Sequence, residues 1–159
     1  WSGMVRAGYL ALAAALVLLG GMIWRASPRA RRNAAAPALF IAAAAALTVT
    51  TFAATDVPAA APTLHGFVHG VAAQAAFLCT TTAMLLAAWR LRREPGWRSV
   101  ARPACTAAAL CFVLPWVLAL WRGLPRGLAQ KGLMLLILAC LAVAVQLLPR
   151  CAPDAEGAP

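Results

Sequence analysis

The residues best suited to chemistry cluster in one short stretch, "TDVPAAAPTLHGFVHG". It holds Asp56, one of four acidic residues, and His65 and His69, the two histidines of the chain. The histidines are four residues apart, so on a helix that begins near Thr63 they share one face on successive turns. Two imidazoles at that spacing can bind one zinc ion, and Asp56 can add an oxygen ligand. With a bound water, this set would meet the minimum of a catalytic zinc site.

The alternative for the same residues is structural: two histidines at a membrane interface that cap a helix and bond to loop carbonyls. No HExxH motif, fourth ligand or second carboxylate accompanies them, and this favours a protein without a cofactor over a zinc protein. Haem is disfavoured because its axial ligands approach from opposite sides, usually from separate helices, whereas His65 and His69 share one face.

Lys131, the single lysine, opens the last apolar run of the chain. We expect it on the same side as Asp56, so an ion pair between Lys131 and Asp56 is geometrically feasible. An ionisable side chain near a membrane span is a functional-site hypothesis by default. The alternatives are a structural latch between two helices, or a lysine that snorkels to water. The candidate catalytic residues are therefore Asp56, His65, His69 and Lys131.

The elements that must position these residues are apolar runs of membrane-spanning length. The 159 residues are 64% hydrophobic and 11% charged, more apolar than one small soluble core can bury. A helix of about 20 apolar residues crosses a hydrocarbon core of roughly 30 Å, and lipid favours helices because every backbone amide must be satisfied internally. The sequence predicts an all-α polytopic transmembrane helix bundle with five spans at about 5–24, 36–54, 64–89, 100–121 and 127–148. One domain over 1–150 and a flexible cytoplasmic tail at 151–159 complete the expected organisation.

The net charge of +10 reflects topology in this interpretation. The basic residues form short clusters between apolar runs and not one soluble face, which argues against nucleic acid as a partner. Arginines concentrate after the first and third spans, at 25–35 and 90–98, and these loops are expected in the cytoplasm. The Asp56, His65 and His69 loop then lies outside, in a bacterial cytoplasmic (inner) membrane. This orientation would also put the amino end outside, so we expect a further helix upstream and six spans in the native protein.

Two short motifs give the chain a family resemblance. The stretches "FAATDVPAAAPTLHGFVHG" and "RGLAQKG" match a threonine-aspartate before a Pro-rich loop, a Gly-x-x-His that opens a helix, and a Gly-Leu motif that opens the last helix. In these features the chain resembles the bacterial and archaeal multi-spanning membrane proteins of domain-of-unknown-function family nine-nine-eight. The resemblance implies about six helices and assigns Asp56 and His69 to the family's aspartate and histidine. Gln130 and Lys131 stand where members often carry Glu-Arg or Gln-Arg.

Function follows less directly than fold. Small-residue faces are abundant and chemical groups are scarce, which favours a non-catalytic membrane protein, an accessory subunit packed against other membrane-protein subunits and membrane lipids. The competing hypothesis is a membrane-embedded metal-dependent hydrolase that acts on a lipid at the outer leaflet. In it, Asp56, His65 and His69 hold zinc and its water, and Lys131 steadies a phosphate or oxyanion.

Overall fold

The described part of the chain consists of helices and a few flanking residues. The computed structural model of the protein describes residues 2–26, 33–53, 63–93, 98–120 and 126–147. These residues form five α-helices: α1 (Ser2–Ala26), α2 (Ala35–Phe52), α3 (Leu64–Leu91), α4 (Arg98–Leu120) and α5 (Arg126–Leu147). The described residues contain no strand. The predicted all-α class is confirmed.

The helix ends differ from the predicted spans by three residues or fewer. The difference has a simple origin, since helical hydrogen bonding continues into polar flanking residues such as Arg25 and Arg90, where an apolar run stops. The expected domain over 1–150 stays a prediction. So does the tail at 151–159, which lies outside the described residues.

Four of the described helices are long and apolar enough to cross a membrane. Their candidate spans are Gly3–Arg25, Ala35–Phe52, Leu64–Arg90 and Val100–Val117. At 1.5 Å rise per residue even the shortest covers about 27 Å, close to the roughly 30 Å hydrocarbon core. The apolar part described for α5, Lys131–Gln146, is shorter. A fifth membrane crossing therefore stays a prediction.

Small residues set the packing of the first three helices. Each helix packs most extensively on its neighbour in the chain. At the α1–α2 contact, a Cβ built on Gly20 would lie 3.3 Å from Phe40 Cβ and 3.3 Å from the Pro37 carbonyl oxygen, so a larger residue would force the helices apart. Phe40 is 1% exposed beneath this contact, and Ala43 and Ala83 are fully buried. The three helices form a dense block.

Two polar contacts fix the ends of this block. Thr63 precedes α3 in an extended conformation, and its side-chain oxygen accepts a hydrogen bond from the Gly66 amide at 3.1 Å. This N-cap confirms the predicted start of the third helix and contributes about 1 kcal/mol. At the other end of α3, Arg90 Nη1 donates to the Asn33 carbonyl oxygen at 3.3 Å, beside the start of α2. The two helices are thus antiparallel.

Candidate functional site

His69 links the first turns of α3 to the end of α2. Its Nδ1 lies 2.9 Å from the Ala53 carbonyl oxygen, and the side chain is half-buried. A carbonyl oxygen can only accept, so Nδ1–H is the donor, and in the neutral ring Nε2 keeps its lone pair. The predicted bond from a histidine to a carbonyl is therefore present. It orients the imidazole, because one ring nitrogen is fixed in place.

His65 lies one turn earlier on α3 and differs from His69 in burial. It is exposed, whereas His69 is half-buried. Asp56, the third member of the predicted zinc set, lies outside the described residues, so the arrangement of all three stays a prediction. Within the described part of the chain, no group of three or more His, Cys, Asp or Glu could hold a metal ion.

Lys131 is exposed near the start of α5. The predicted ion pair between Lys131 and Asp56 involves an aspartate outside the described residues and stays a prediction. Gln130 precedes Lys131 in the same helix, and its side chain also lies outside the described part. Of the four candidate catalytic residues, the structure thus gives the surroundings of His65, His69 and Lys131.

A cavity of about 80 Å³ lies between α1, α2, α3 and α5, and His69 is part of its wall. The α3 wall consists of His69, Ala73, Ala76, Phe77 and Thr80. The α5 wall consists of Met134, Ile137, Leu138 and Leu141. Both sets follow the three- and four-residue spacing of a single helix face. The cavity is therefore elongated along the helix axes.

The polar groups of the cavity lie mainly toward one end of the bundle, the end where α3 and α5 begin. We call it the His69 end. Tyr9 of α1 and Thr50 of α2 line the cavity with His69, and Thr80 lies deeper along α3. The Thr50 hydroxyl donates to the Ala46 carbonyl at 2.9 Å and is satisfied within its own helix. The remaining lining residues are apolar, so the cavity suits a largely apolar occupant.

The sequence did not predict the cavity, and Tyr9 was not among the predicted site residues. The available signal was the helical spacing of Tyr9, Leu12 and Leu16, which matches one face of α1. That signal is weak in a chain whose helices are apolar on every side, because lipid-facing and core-facing positions then carry the same residue types.

The threonines of α2 and α3 bond within their own helices. The hydroxyls of Thr48, Thr50 and Thr51 donate to the carbonyls four residues earlier, at 2.8, 2.9 and 2.8 Å. Thr81 does the same with Phe77 at 2.8 Å. These hydroxyls consequently add polar groups to the interior without leaving unsatisfied donors.

The fold and the site together define an integral membrane protein: a bundle of long apolar helices around a largely apolar cavity. The sequence profile of the family described as "Protein of unknown function (DUF998)" matches residues 1–146. The chain belongs to this family, as its motifs indicated. Comparisons with curated proteins and with solved structures give no match.

Proposed function

We propose that the protein is a non-catalytic accessory subunit that packs against a larger complex in the membrane. The observation that carries the proposal is the outward face of α1. Ala7, Ala11 and Ala15 repeat every four residues on the exposed side of this helix, whereas Leu16 and Leu19 face the core. Small residues at this spacing let helix backbones approach closely.

On α1, exposed bulky residues such as Met4 and Leu18 lie beyond the alanine series at either end, whereas the exposed face described for α4 has no such series. It carries bulky apolar side chains, among them Leu110, Val113 and Trp116, each at least half exposed. Bulky side chains suit contact with acyl chains, and small ones suit contact with another helix. On α1, no atom lies within 4 Å of a Cβ built on Gly8 or Gly21, so the outward face has room for a neighbour.

The proposal keeps the predicted membrane and orientation. The Arg-rich segments at 25–35 and 90–98 adjoin the end of the bundle opposite to the His69 end. The positive-inside rule favours placing these segments in the cytoplasm of a bacterium and the His69 end outside the inner membrane. A cysteine added near either end and labelled in whole cells with a membrane-impermeant maleimide tests this orientation, and labelling at the arginine end would refute it.

Chemical cross-linking in intact membranes tests the accessory role. A membrane-soluble photoreactive group placed at Gly8 should yield one discrete adduct, because a partner helix would lie against this face. Ala11→Leu should remove most of the adduct, since the larger side chain keeps the partner helix away. The mass of the adduct distinguishes another protein from a second copy of this chain.

The matched control is Ala139→Leu, the same substitution at an exposed position of α5. It should leave the adduct unchanged. An adduct that survives Ala11→Leu, or a photoreactive group that labels only lipid, would contradict the accessory role. The circular dichroism of both variants in detergent should match that of the parent protein, since both positions are exposed.

A zinc-dependent lipid hydrolase is the second candidate, and one observation favours it. A metal-bound histidine commonly donates its other ring N–H to a backbone carbonyl, and His69 makes this bond with Ala53. Nε2 would then be the metal-binding atom, with His65 and Asp56 as further ligands and Lys131 beside the phosphate. The candidate predicts one zinc ion per purified chain, with zinc lost in both His69→Ala and Asp56→Asn. Zinc content below one-tenth of the chain concentration would reject it.

A further inference from the structure

The cavity has the length of one lipid chain. Its α3 wall runs from His69 to Thr80, eleven residues later, which is about 16 Å at 1.5 Å per residue. This is about half of the roughly 30 Å hydrocarbon core, the thickness occupied by the acyl chains of one leaflet. Spread over this length, a volume of about 80 Å³ makes a channel much narrower than a helix, which is about 10 Å across.

The cavity lies between α5 and three helices, α1, α2 and α3, on which α5 does not pack closely. The close pairs are α1–α2, α2–α3, α3–α4 and α4–α5, so α5 is held mainly by α4. Between α1 and α5 the cavity separates the helices, with Leu12 and Leu16 on one side and Ile137 and Leu138 on the other. An acyl chain could therefore enter sideways from the bilayer.

A basic residue lies one turn beyond the cavity on each of three helices. Arg6 precedes Tyr9 by three residues, His65 precedes His69 by four, and Lys131 precedes Met134 by three. Arg6, His65 and Lys131 are all exposed at the His69 end. Because residues at these spacings are neighbours on a helix surface, each of the three lies one helical turn from a residue that lines the cavity.

By sequence, acidic residues offset only part of this charge. Asp56, Glu94, Asp154 and Glu156 are the acidic residues of the chain, and all lie outside the described residues. By sequence, only Asp56 belongs to a connection at the His69 end, between α2 and α3. One carboxylate there leaves an excess positive charge from Arg6 and Lys131, and a positive mouth above an apolar cavity is complementary to an anionic lipid.

We propose that the protein binds one anionic phospholipid here, with an acyl chain in the cavity and its phosphate among Arg6, His65 and Lys131. Arg6 and Lys131 supply charge-assisted hydrogen bonds to the phosphate oxygens, and His65 adds a ring N–H. Ala73 and Ala76 make room for the chain methylenes. This site is independent of the accessory role, because α1 presents its small residues on the other side.

Native mass spectrometry of the full chain in a neutral detergent tests the site. The delipidated protein is titrated separately with phosphatidylglycerol, phosphatidylcholine and inorganic phosphate. We expect one phosphatidylglycerol per chain, bound about tenfold more tightly than phosphatidylcholine, because the choline cation of phosphatidylcholine offsets the attraction of its phosphate to the positive mouth. Inorganic phosphate alone should not bind measurably, because it lacks the acyl chain.

Two kinds of variant distinguish binding of the acyl chain from binding of the lipid headgroup. Ala76→Leu fills the cavity and should lower the affinity for both lipids about tenfold or more. Ala139→Leu, on the exposed side of α5, should change neither affinity. Lys131→Gln should weaken the binding of phosphatidylglycerol about tenfold and that of phosphatidylcholine less, because the choline cation already opposes the charge of Lys131. Ala73→Leu provides a second cavity variant should Ala76→Leu fail to fold.

Three results would overturn the proposal. Equal affinity for the two lipids would show that the positive mouth does not select an anionic headgroup. Equal lipid binding by both cavity variants and the parent would place the lipid on the outer surface. A dimer whose formation excludes lipid would make a second copy the occupant. Loss of the α1 adduct in the cross-linking experiment would leave all of these measurements unaffected, so the two proposals fail separately.

Discussion

Two regions of the bundle are built from the same residue types and packed to different densities. At the α1–α2 contact, Gly20 meets Phe40 and Pro37 with no space for a larger side chain. Between α1, α3 and α5, by contrast, alanine and leucine line an open cavity. The contrast shows that small residues serve two purposes here. In the first region they bring helices together, and in the second they keep space open.

The largest expected change in stability is at the α1–α2 contact. Phe40→Ala removes a 1% exposed ring and should lower the free energy of unfolding by about 3–5 kcal/mol, because a cavity is left between α1 and α2. Reversible unfolding in mixed detergent micelles measures this change. Phe67→Ala is the matched control, since Phe67 is 67% exposed on α3, and it should have little effect. Similar losses in the two variants would show that the dense block is not the stabilising core.

A pair of identical substitutions sharpens the comparison. Ala43→Leu, at a fully buried position of α2, should lower the free energy of unfolding by about 1–3 kcal/mol because the dense block has no room. Ala76→Leu faces the cavity and should be neutral or stabilising by up to about 1–2 kcal/mol. The same unfolding assay on delipidated protein compares them. Equal destabilisation by both would mean that the cavity closes in solution.

The smallest effect concerns the histidines at the mouth of the cavity. His69→Ala removes the hydrogen bond to the Ala53 carbonyl and should lower the free energy of unfolding by about 1 kcal/mol. His65→Ala, at an exposed position one turn away, should leave stability unchanged. Stability that falls equally in both variants would argue against a specific latch between α2 and α3.

The sequence predicted the helices well and their faces poorly. Length, hydropathy and end signals such as Thr63 located the helices to within three residues, since these signals are local. Which side of a helix faces the core could not be predicted, because lipid and core both accept apolar residues. Ala43 is fully buried and Ala42 is exposed, although both belong to one alanine run.

The candidate site shows the same division. The order of helices along the chain predicted that His65, His69 and Lys131 lie at one end of the bundle. The hydrogen bond from His69 to a carbonyl was among the predicted alternatives. The difference in burial between His65 and His69 was not predictable, because it depends on how α2 ends beside α3. The cavity depends on spacing between α1 and α5, which are distant in sequence, and no local pattern encodes it.

If the cavity holds an acyl chain, that chain can be located by crystallography. Crystals grown with phosphatidylglycerol brominated along one acyl chain would show the bromine atoms by anomalous scattering. We expect a bromine peak between α1, α3 and α5 beside Ala76, and no such peak in crystals of Ala76→Leu. Bromine peaks confined to the outer faces of the bundle, with none in the cavity, would contradict it.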